Sequence, residues 1–359
     1  MADAPTTPSF FERTRSAKKI IVIDFGFLGD SVHLVPSLWE IKRNYPDAKL
    51  HTLSATVGAE LLKLAPCVDR HWAFPLTEKS PPWWRHWPIL RALRWQKFDA
   101  AFNFTGSDRS LFATAFIGAT SALIIQPGRA HFWNRWIRAD WLSRGTRDLP
   151  VYEQRRQLLA AAGLALQAPR FDLRIPAAAS DWAQTKTPSG SIHLSINASA
   201  AEKEWPLDNW IDLTKRLLAA RPSIDLVATA SSKPREITRL RTLADAVADS
   251  RLQCVEGPDI AQLAAILQRC RLHIGADSGV LHLAVALGVP TLSIFREYEG
   301  LNEWAPVGDF HQHIAVHCRC ISDNRDDCHR TGRSACLAGI SPQQVEALAF
   351  HESINKSQR

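Results

Sequence analysis

A group of polar residues, Asp277, Ser278 and Gly279, follows an apolar strand and directly precedes an apolar helix predicted over 280–287. Ser278 or Asp277 is a good N-cap, and the backbone N–H groups of a helix N-terminus favour a phosphate or another anion at the carboxyl end of a strand. His282 lies one turn into this helix, so its imidazole can face the same ligand. The pattern predicts an anion-binding site, although an acidic cap and a structural histidine without any ligand would give the same residues.

A second candidate site lies in the loop NASAAEKEWP, residues 197–206, which follows a strand predicted over 191–196. Ser199 offers a hydroxyl and Lys203 offers a mobile ammonium four residues later, and together they can hold a diphosphate without a metal. A surface lysine before an ordinary helix is the alternative interpretation.

A third candidate is Asp30, in the turn FGFLGD that follows a buried strand predicted over 18–24. A carboxylate on a glycine turn at the carboxyl edge of a sheet can take the proton from a sugar hydroxyl that attacks an anomeric carbon. Asp30 could instead only cap the helix predicted over 31–44. Gly26 and Gly29 do not form the pattern G-x-G-x-x-G, so the sequence does not support a nicotinamide-dependent enzyme.

Three strings of the sequence resemble the motifs of one family, in the order in which that family carries them. They are G-x-x-G-D at 26–30, K-x-W-P at 203–206 and D-S-G-V-x-H-x-A-x-A-L-G-x-P at 277–290. The resemblance is to glycosyltransferase family 9, the bacterial lipopolysaccharide heptosyltransferases, and it runs from about residue 18 to 348. It implies an α/β fold of the GT-B type, with two Rossmann-like domains that face each other across a cleft. It also implies transfer of a heptose from ADP-heptose to a lipopolysaccharide core precursor, with inversion of the anomeric centre.

The resemblance assigns roles to the candidate residues. Asp30 would be the catalytic base. The nucleotide-sugar would be bound by Ser199, Lys203, Asp277, Ser278, Gly279 and His282. We expect neither a metal nor another cofactor in the transfer, because no D-x-D motif stands at a strand end. Bulky Phe25, Phe27 and Leu28, and the segment 296–298, depart from the family pattern. A family relative that uses another nucleotide-sugar or acceptor, and a catalytically silent nucleotide-sugar-binding or lipid-binding protein, therefore remain alternatives.

The length of 359 residues exceeds the size at which a single core usually keeps growing, so two domains are expected. We predict a disordered or loosely attached N-terminus over 1–17, an acceptor-binding domain over 18–180 and a nucleotide-sugar-binding domain over 181–359. The linker-like composition of 176–190 suggests this boundary. The N-terminus lacks the apolar core of a secretory signal and no apolar run reaches 18 residues, which favours a cytoplasmic protein.

The chain is basic, with 43 Lys and Arg against 36 Asp and Glu and a net charge of +7. Two stretches, 74–98 and 128–147, mix tryptophan with arginine, as suits the surface of an anionic membrane. We therefore expect a glycolipid acceptor and a peripheral position on the inner face of the plasma membrane. A solvated basic face is the alternative. A nucleic-acid partner is not expected because no nucleic-acid-binding module accompanies these stretches.

The seven cysteines fall into two sets. Three stand in apolar surroundings, as small buried hydrophobic residues do: Cys67, Cys254 and Cys270. Four lie in a loop over 317–336 with the spacing C-x-C-x7-C-x7-C: Cys318, Cys320, Cys328 and Cys336. This spacing lacks the paired C-x2-C knuckles of common zinc sites, and the sequence leaves the role of these four open.

Overall fold

The computed structural model of the protein describes residues 8–76, 83–127, 132–143, 148–322 and 327–350. The chain forms two compact units, Met1–Arg174 and Ile175–Arg359. In the described ranges, no helix combines the length and the apolar character needed to cross a membrane.

Unit 1 is built on a six-stranded sheet. Its strands are β1 Lys19–Asp24, β2 Lys49–Ala55, β3 Arg70–Phe74, β4 Ala100–Asn103, β5 Ser121–Ile125 and β6 Ala139–Leu142. Its helices are α1 Phe10–Thr14, α2 Leu28–Asn44, α3 Thr56–Leu62, α4 Trp87–Arg94, α5 Asp108–Ile117 and α6 Val151–Ala161, with 3-10 turns at Trp83–His86 and Phe132–Trp136. The strands are parallel and lie in the order β3-β2-β1-β4-β5-β6. This is the order of Rossmann folds, in which the connections reverse direction between β1 and β4.

The continuous apolar run of β1 is explained by burial on both faces of the sheet. Ile20 and Val22 enter one core cluster, whereas Ile21 and Ile23 enter the other. Parallel sheets covered by helices on both sides need such runs. The strand then delivers the residues that follow it to the carboxyl edge at the centre of the sheet.

The N-terminal segment is held more firmly than the sequence suggested. The Oγ of Ser9 accepts a hydrogen bond from the backbone N–H of Glu12, and the Glu12 carboxylate accepts one from the N–H of Ser9, so α1 has a capping box. Phe10 is buried in the core of unit 1. The expectation of a loose N-terminus is therefore wrong for residues 8–17, while residues 1–7 lie outside the described ranges.

Unit 2 repeats the architecture. Its strands are β7 Ser191–Ser195, β8 Leu226–Ala230, β9 Leu252–Glu256, β10 Cys270–Ala276, β11 Thr291–Arg296 and β12 His311–Val316. Its helices are α7 Ala177–Gln184, α8 Leu207–Ala220, α9 Pro234–Val247, α10 Ile260–Arg269, α11 Gly279–Ala286, α12 Leu301–Trp304, α13 Arg319–Ser322, α14 Asp327–Thr331, α15 Ala335–Ala338 and α16 Pro342–Ala349, with a 3-10 turn at Ala201–Lys203. The parallel order β12-β11-β10-β7-β8-β9 is again the Rossmann order when strands are numbered within the unit. The predicted α/β class is confirmed in both units.

Helix α7 occupies the stretch that has linker composition. Its Ala179 and Ala183 are buried in a cluster with Val227 and Ile266 of unit 2. Small alanine side chains let the helix approach its neighbours closely, which explains how a segment with little apolar surface still packs. The two compact units divide before this helix, at Arg174 and Ile175.

Candidate active site

Asp30 lies in the first turn of α2. Its Oδ2 accepts a hydrogen bond from the backbone N–H of Phe27 at 3.0 Å, so the carboxylate caps the helix. This bond closes a turn that begins at Leu28, and the helix therefore starts three residues earlier than the predicted Ser31. Gly26 makes the approach possible, because a Cβ at that position would lie 2.2 Å from the Cβ of Asp30.

A buried ion pair stands beside Asp30. The Nη2 of Arg155 on α6 lies 3.0 Å from Asp24 Oδ2 at the end of β1, with side chains 7% and 1% exposed. The same nitrogen lies 3.7 Å from Asp30 Oδ1, and Arg155 Nη1 donates a 2.6 Å hydrogen bond to the Asp30 carbonyl. Asp24 Oδ1 accepts further bonds from the Gly26 N–H and the Thr105 hydroxyl, both at 3.0 Å. Arg155 thus holds two carboxylates at the switch point of the sheet.

The surroundings of Asp30 raise the pKa of its carboxyl group. Burial raises the pKa of Asp30, the negative charge of Asp24 raises it further, and the positive charge of Arg155 opposes both effects. A raised pKa makes a carboxylate a stronger base. The Asp30 side chain is 26% exposed, so a substrate hydroxyl can reach it. Asp30 can therefore both cap the helix and accept a proton.

In unit 2 the two predicted anion-binding segments meet at the switch point between β7 and β10. Lys203, on the 3-10 turn after β7, places its Nζ 2.6 Å from Asp277 Oδ2 after β10. Asp277 is buried, whereas the Lys203 side chain is 31% exposed. Asp277 carries a negative charge and therefore suits orientation of the lysine better than direct contact with a phosphate. The exposed part of the ammonium is left to meet a ligand.

The residues at the start of α11 complete this candidate anion-binding site. Ser278 is the N-cap of α11, and its buried Oγ has no hydrogen-bond partner among the described residues. Gly279 is the first residue of the helix, where backbone N–H groups point out of the helix end. Ser199 lies exposed on the loop before the 3-10 turn. The structure thus brings Lys203, Asp277 and Ser278 together and leaves Ser199 on the surface of the same loop.

His282 is buried one turn into α11, with its ring 5.3 Å from that of Trp304. Burial lowers the pKa of His282 to about 4, and the nearby charge of Lys203 lowers it while that of Asp277 raises it. The imidazole is therefore neutral at pH 7. It can exchange a hydrogen bond with a ligand, but it cannot neutralise a phosphate.

Two buried histidines lie under this corner. The Nδ1 atoms of His193 on β7 and His273 on β10 are 2.8 Å apart, and His193 Nε2 lies 3.0 Å from Thr229 Oγ1. One nitrogen of the close pair must donate and the other accept, so at least one ring is neutral. Burial lowers the pKa of His193 to about 3 and that of His273 well below its ordinary value.

Several residues of these sites were not singled out from the sequence. The side chain of Glu204, next to Lys203, is 6% exposed and accepts a 2.8 Å hydrogen bond from Arg235 and a 3.1 Å bond from the N–H of Ala198, so it fixes both ends of the loop. Tyr298 places its ring centre 5.9 Å from Lys203 Nζ, and its buried Oη has no hydrogen-bond partner within the described ranges. A charged residue inside a motif, as in K-E-W-P, was the available signal for Glu204. Arg155 had no comparable signal.

Two units with the Rossmann strand order in one chain are the architecture of GT-B glycosyltransferases, and the charged groups of both units gather at switch points, where such folds bind their ligands. The chain belongs to glycosyltransferase family 9, the heptosyltransferase family, whose sequence model matches residues 86–332. It is thus a glycosyl-transferring enzyme, as the three motifs indicated.

Relatives of known type span most of the chain. A Pseudomonas aeruginosa lipopolysaccharide heptosyltransferase 1 is 24% identical over 302 residues, which cover 77% of this chain and 78% of the relative. The E. coli heptosyltransferase WaaC, solved with ADP-2-deoxy-2-fluoro heptose, superposes with a TM-score of 0.70 at 17% identity, covering 92% of this chain and 98% of WaaC. A family 9 glycosyltransferase from Veillonella parvula superposes with a TM-score of 0.81 at 17% identity, covering 99% and 100% of the two chains. These structural likenesses confirm the GT-B fold.

Proposed function

We propose that the protein is an inverting glycosyltransferase that moves a heptose from ADP-heptose to a lipopolysaccharide core precursor. The family supports transfer of a glycosyl group, and two of the relatives named above are heptosyltransferases, one of them solved with an ADP-heptose analogue. The observation that carries the proposal is the Asp30 carboxylate, with its raised pKa and its reachable side chain at the switch point of unit 1.

In this mechanism Asp30 takes the proton from the acceptor hydroxyl as that oxygen attacks the anomeric carbon. The bond between the anomeric carbon and the ADP phosphate oxygen breaks as the new glycosidic bond forms on the opposite face, which inverts the centre. Arg155 forms an ion pair with Asp24 beside Asp30, and the negative charge of Asp24 raises the pKa of Asp30. Unit 1 therefore supplies the base.

Unit 2 supplies the groups for the leaving ADP. Lys203, oriented by Asp277, would meet the negative charge that grows on the diphosphate, together with the backbone N–H groups of Ser278 and Gly279 at the start of α11. The Ser199 hydroxyl lies on the same loop as Lys203 and would add a hydrogen bond. His282, as a neutral imidazole, would bind a sugar hydroxyl or a phosphate oxygen without supplying charge.

We further propose that the enzyme works at the inner face of the plasma membrane, where a glycolipid acceptor would lie. Helix α4 supports this, because Trp87 and Arg91 on the helix and Trp95 directly after it are exposed. Exposed tryptophan and arginine together suit the level of anionic headgroups. Of the other residues of the basic stretches, 77–82, 128–131 and 144–147 lie outside the described ranges, as do the side chains of Trp83, Trp84 and Trp133.

A transfer assay tests the function. The full chain is incubated with ADP-heptose and a heptose-free lipopolysaccharide core, and in parallel with ADP-glucose, UDP-glucose and GDP-mannose. We expect transfer from ADP-heptose, with an anomeric configuration in the product opposite to that of the donor by NMR. Preferred transfer from another nucleotide-sugar would replace the donor assignment, and binding without transfer to any acceptor would identify a silent binding protein.

A further inference from the structure

The fold gathers the four cysteines of the loop over 317–336. The sulfur atoms of Cys318, Cys320 and Cys328 all lie within 4.8 Å of one another. The thiol of Cys336 hydrogen-bonds that of Cys318. All four are free thiols, and Cys318 and Cys328 are each only 3% exposed. A sequence spacing without C-x2-C knuckles thus still produces a compact set of sulfur atoms.

The distances fit a shared ion better than disulfides. The sulfur atoms of Cys320 and Cys328 are 3.7 Å apart. A disulfide would need about 2.0 Å. Four sulfur atoms placed tetrahedrally at about 2.3 Å from a zinc ion lie about 3.8 Å from one another. The Cys320 and Cys328 sulfur atoms already have this separation. The sulfur of Cys318 lies within 4.8 Å of both, so it would have to move by about 1 Å or less.

A cross-link of this kind would stabilise the surrounding segment. Its helices α13, α14 and α15 have four, five and four residues. Helices of one turn are unstable without tertiary support, because helix nucleation costs more than one turn returns. One ion would link the three short helices to the end of the strand before them, because each of these segments provides one sulfur ligand.

We propose that Cys318, Cys320, Cys328 and Cys336 bind one zinc ion as a structural tetrathiolate site. Soft thiolates in a tetrahedral arrangement select zinc or iron over the hard cations magnesium and calcium, and zinc requires no redox partner. The ion would take no part in the chemistry of transfer, since all four ligand positions would be filled by sulfur.

The position of the loop gives the zinc site a role in donor binding, a step that rests on the proposed function. The backbone N–H of Cys318 donates a 2.8 Å hydrogen bond to Glu297, one residue before Tyr298. On the other side, the Ser334 hydroxyl donates to the backbone carbonyl of Glu202, one residue before Lys203. The loop therefore braces both Lys203 and Tyr298. By ordering this loop, zinc would stabilise the positions of these two residues for donor binding.

Metal analysis tests the site directly. The full chain is purified without a metal-affinity step, and zinc, iron and free thiols are measured per chain. We expect one zinc per chain and four thiols that react only after chelation. Cobalt exchanged into the site should show the intense visible bands of a tetrahedral thiolate complex. Iron in place of zinc would overturn the metal assignment, and a metal-free protein with four reactive thiols or two disulfides would overturn the site.

Variants and chelation separate this inference from the proposed function. Cys328→Ser should lose the metal and weaken ADP binding by about tenfold or more, because a displaced lysine loses its geometry. Cys254→Ser, in the same unit but outside the cluster, should keep both. If Cys328→Ser does not fold, removal of zinc from the wild-type protein and its return should abolish and restore ADP binding. ADP affinity that is unchanged after complete zinc removal would sink the bracing role. A zinc-loaded protein that binds no nucleotide-sugar would instead contradict the proposed function and leave the zinc site standing.

Discussion

The guanidinium of Arg155 lies 3.0 Å from the carboxylate of Asp24, and both side chains are almost completely buried. An ion pair in this setting depends on both members, because removal of one leaves an uncompensated charge in a medium of low dielectric constant. The same pair sets the charge that Asp30 experiences. Stability and acidity in unit 1 are therefore coupled through Arg155.

Asp24→Asn tests this coupling. The variant should lose about 3 to 5 kcal/mol of unfolding free energy in urea, because Arg155 stays buried without its partner. The pKa of Asp30 should fall, since the charge that raises it is gone, and the acidic limb of the transfer rate should move to lower pH. Asp47→Asn is the matched control, because Asp47 is exposed and lies 3.9 Å from Lys18 on the surface. Equal stability of the two variants would contradict the buried pair.

Asp30→Asn separates the base from the cap. Asparagine can still accept the hydrogen bond of the Phe27 N–H but cannot take a proton, so we expect a folded protein that binds ADP and transfers at least about 100-fold more slowly. Asp30→Ala should add a stability loss of about 0.5 to 2 kcal/mol from the missing cap. Near-normal transfer by Asp30→Asn would leave Asp30 with the capping role alone.

Lys203→Ala and His282→Ala should weaken ADP binding by about 1 to 3 kcal/mol each, measured by titration calorimetry, because each supplies a polar contact to the donor. Lys233→Ala is the control for Lys203, since the Lys233 side chain lies in the same unit and is 60% exposed. Unchanged affinity in both site variants would remove this corner of unit 2 from donor binding.

The buried imidazoles predict how stability depends on pH. The pKa of His193 is lowered to about 3 and that of His282 to about 4, against 6.5 for an ordinary histidine. Below pH 6.5 the unfolded chain binds protons that the folded protein does not, so the free energy of unfolding should fall as the pH drops from about 6.5 to about 4. Each group contributes at most about 1.4 kcal/mol per pH unit. His313→Gln, at an exposed position, should keep the slope in urea titrations, and His282→Ala should reduce it.

The membrane proposal predicts binding to anionic vesicles that fades with salt. The double variant Arg85→Glu with Arg91→Glu should bind phosphatidylglycerol vesicles more weakly at low ionic strength, since each basic residue near the surface contributes about 1 kcal/mol. Both positions are exposed. The double variant Lys215→Glu with Lys233→Glu, at two exposed positions of unit 2, is the charge-matched control. Equal sedimentation of the two variants with the vesicles would contradict the membrane proposal and indicate that the basic stretch of unit 1 is an ordinary solvated surface.

The sequence by itself determined the local elements and the class of enzyme. Helix α8, Leu207–Ala220, follows from local signals, because its apolar residues repeat with the helical period and Pro206 directly precedes it. The β10 and α11 unit was predicted to within a few residues, since an apolar run, a cap and a glycine stop are all local signals. The three motifs named the family. The roles of Asp30, Ser199, Lys203, Asp277, Ser278, Gly279 and His282 remain predictions.

Tertiary structure alone decided which residues meet. Lys203 and Asp277 are 74 residues apart, and Arg155 is 125 residues from the Asp30 carbonyl that it binds. The first meeting depends on the order of strands, with β7 beside β10, and the second on the packing of α6 against α2. Backbone hydrogen bonds between parallel strands are alike for any pair of apolar strands, so the sequence of each strand does not specify its neighbour. The neighbour of each strand is determined by the packing of the whole unit. That packing places Arg155 against Asp24. It also brings together four cysteines whose spacing in the sequence did not predict a site.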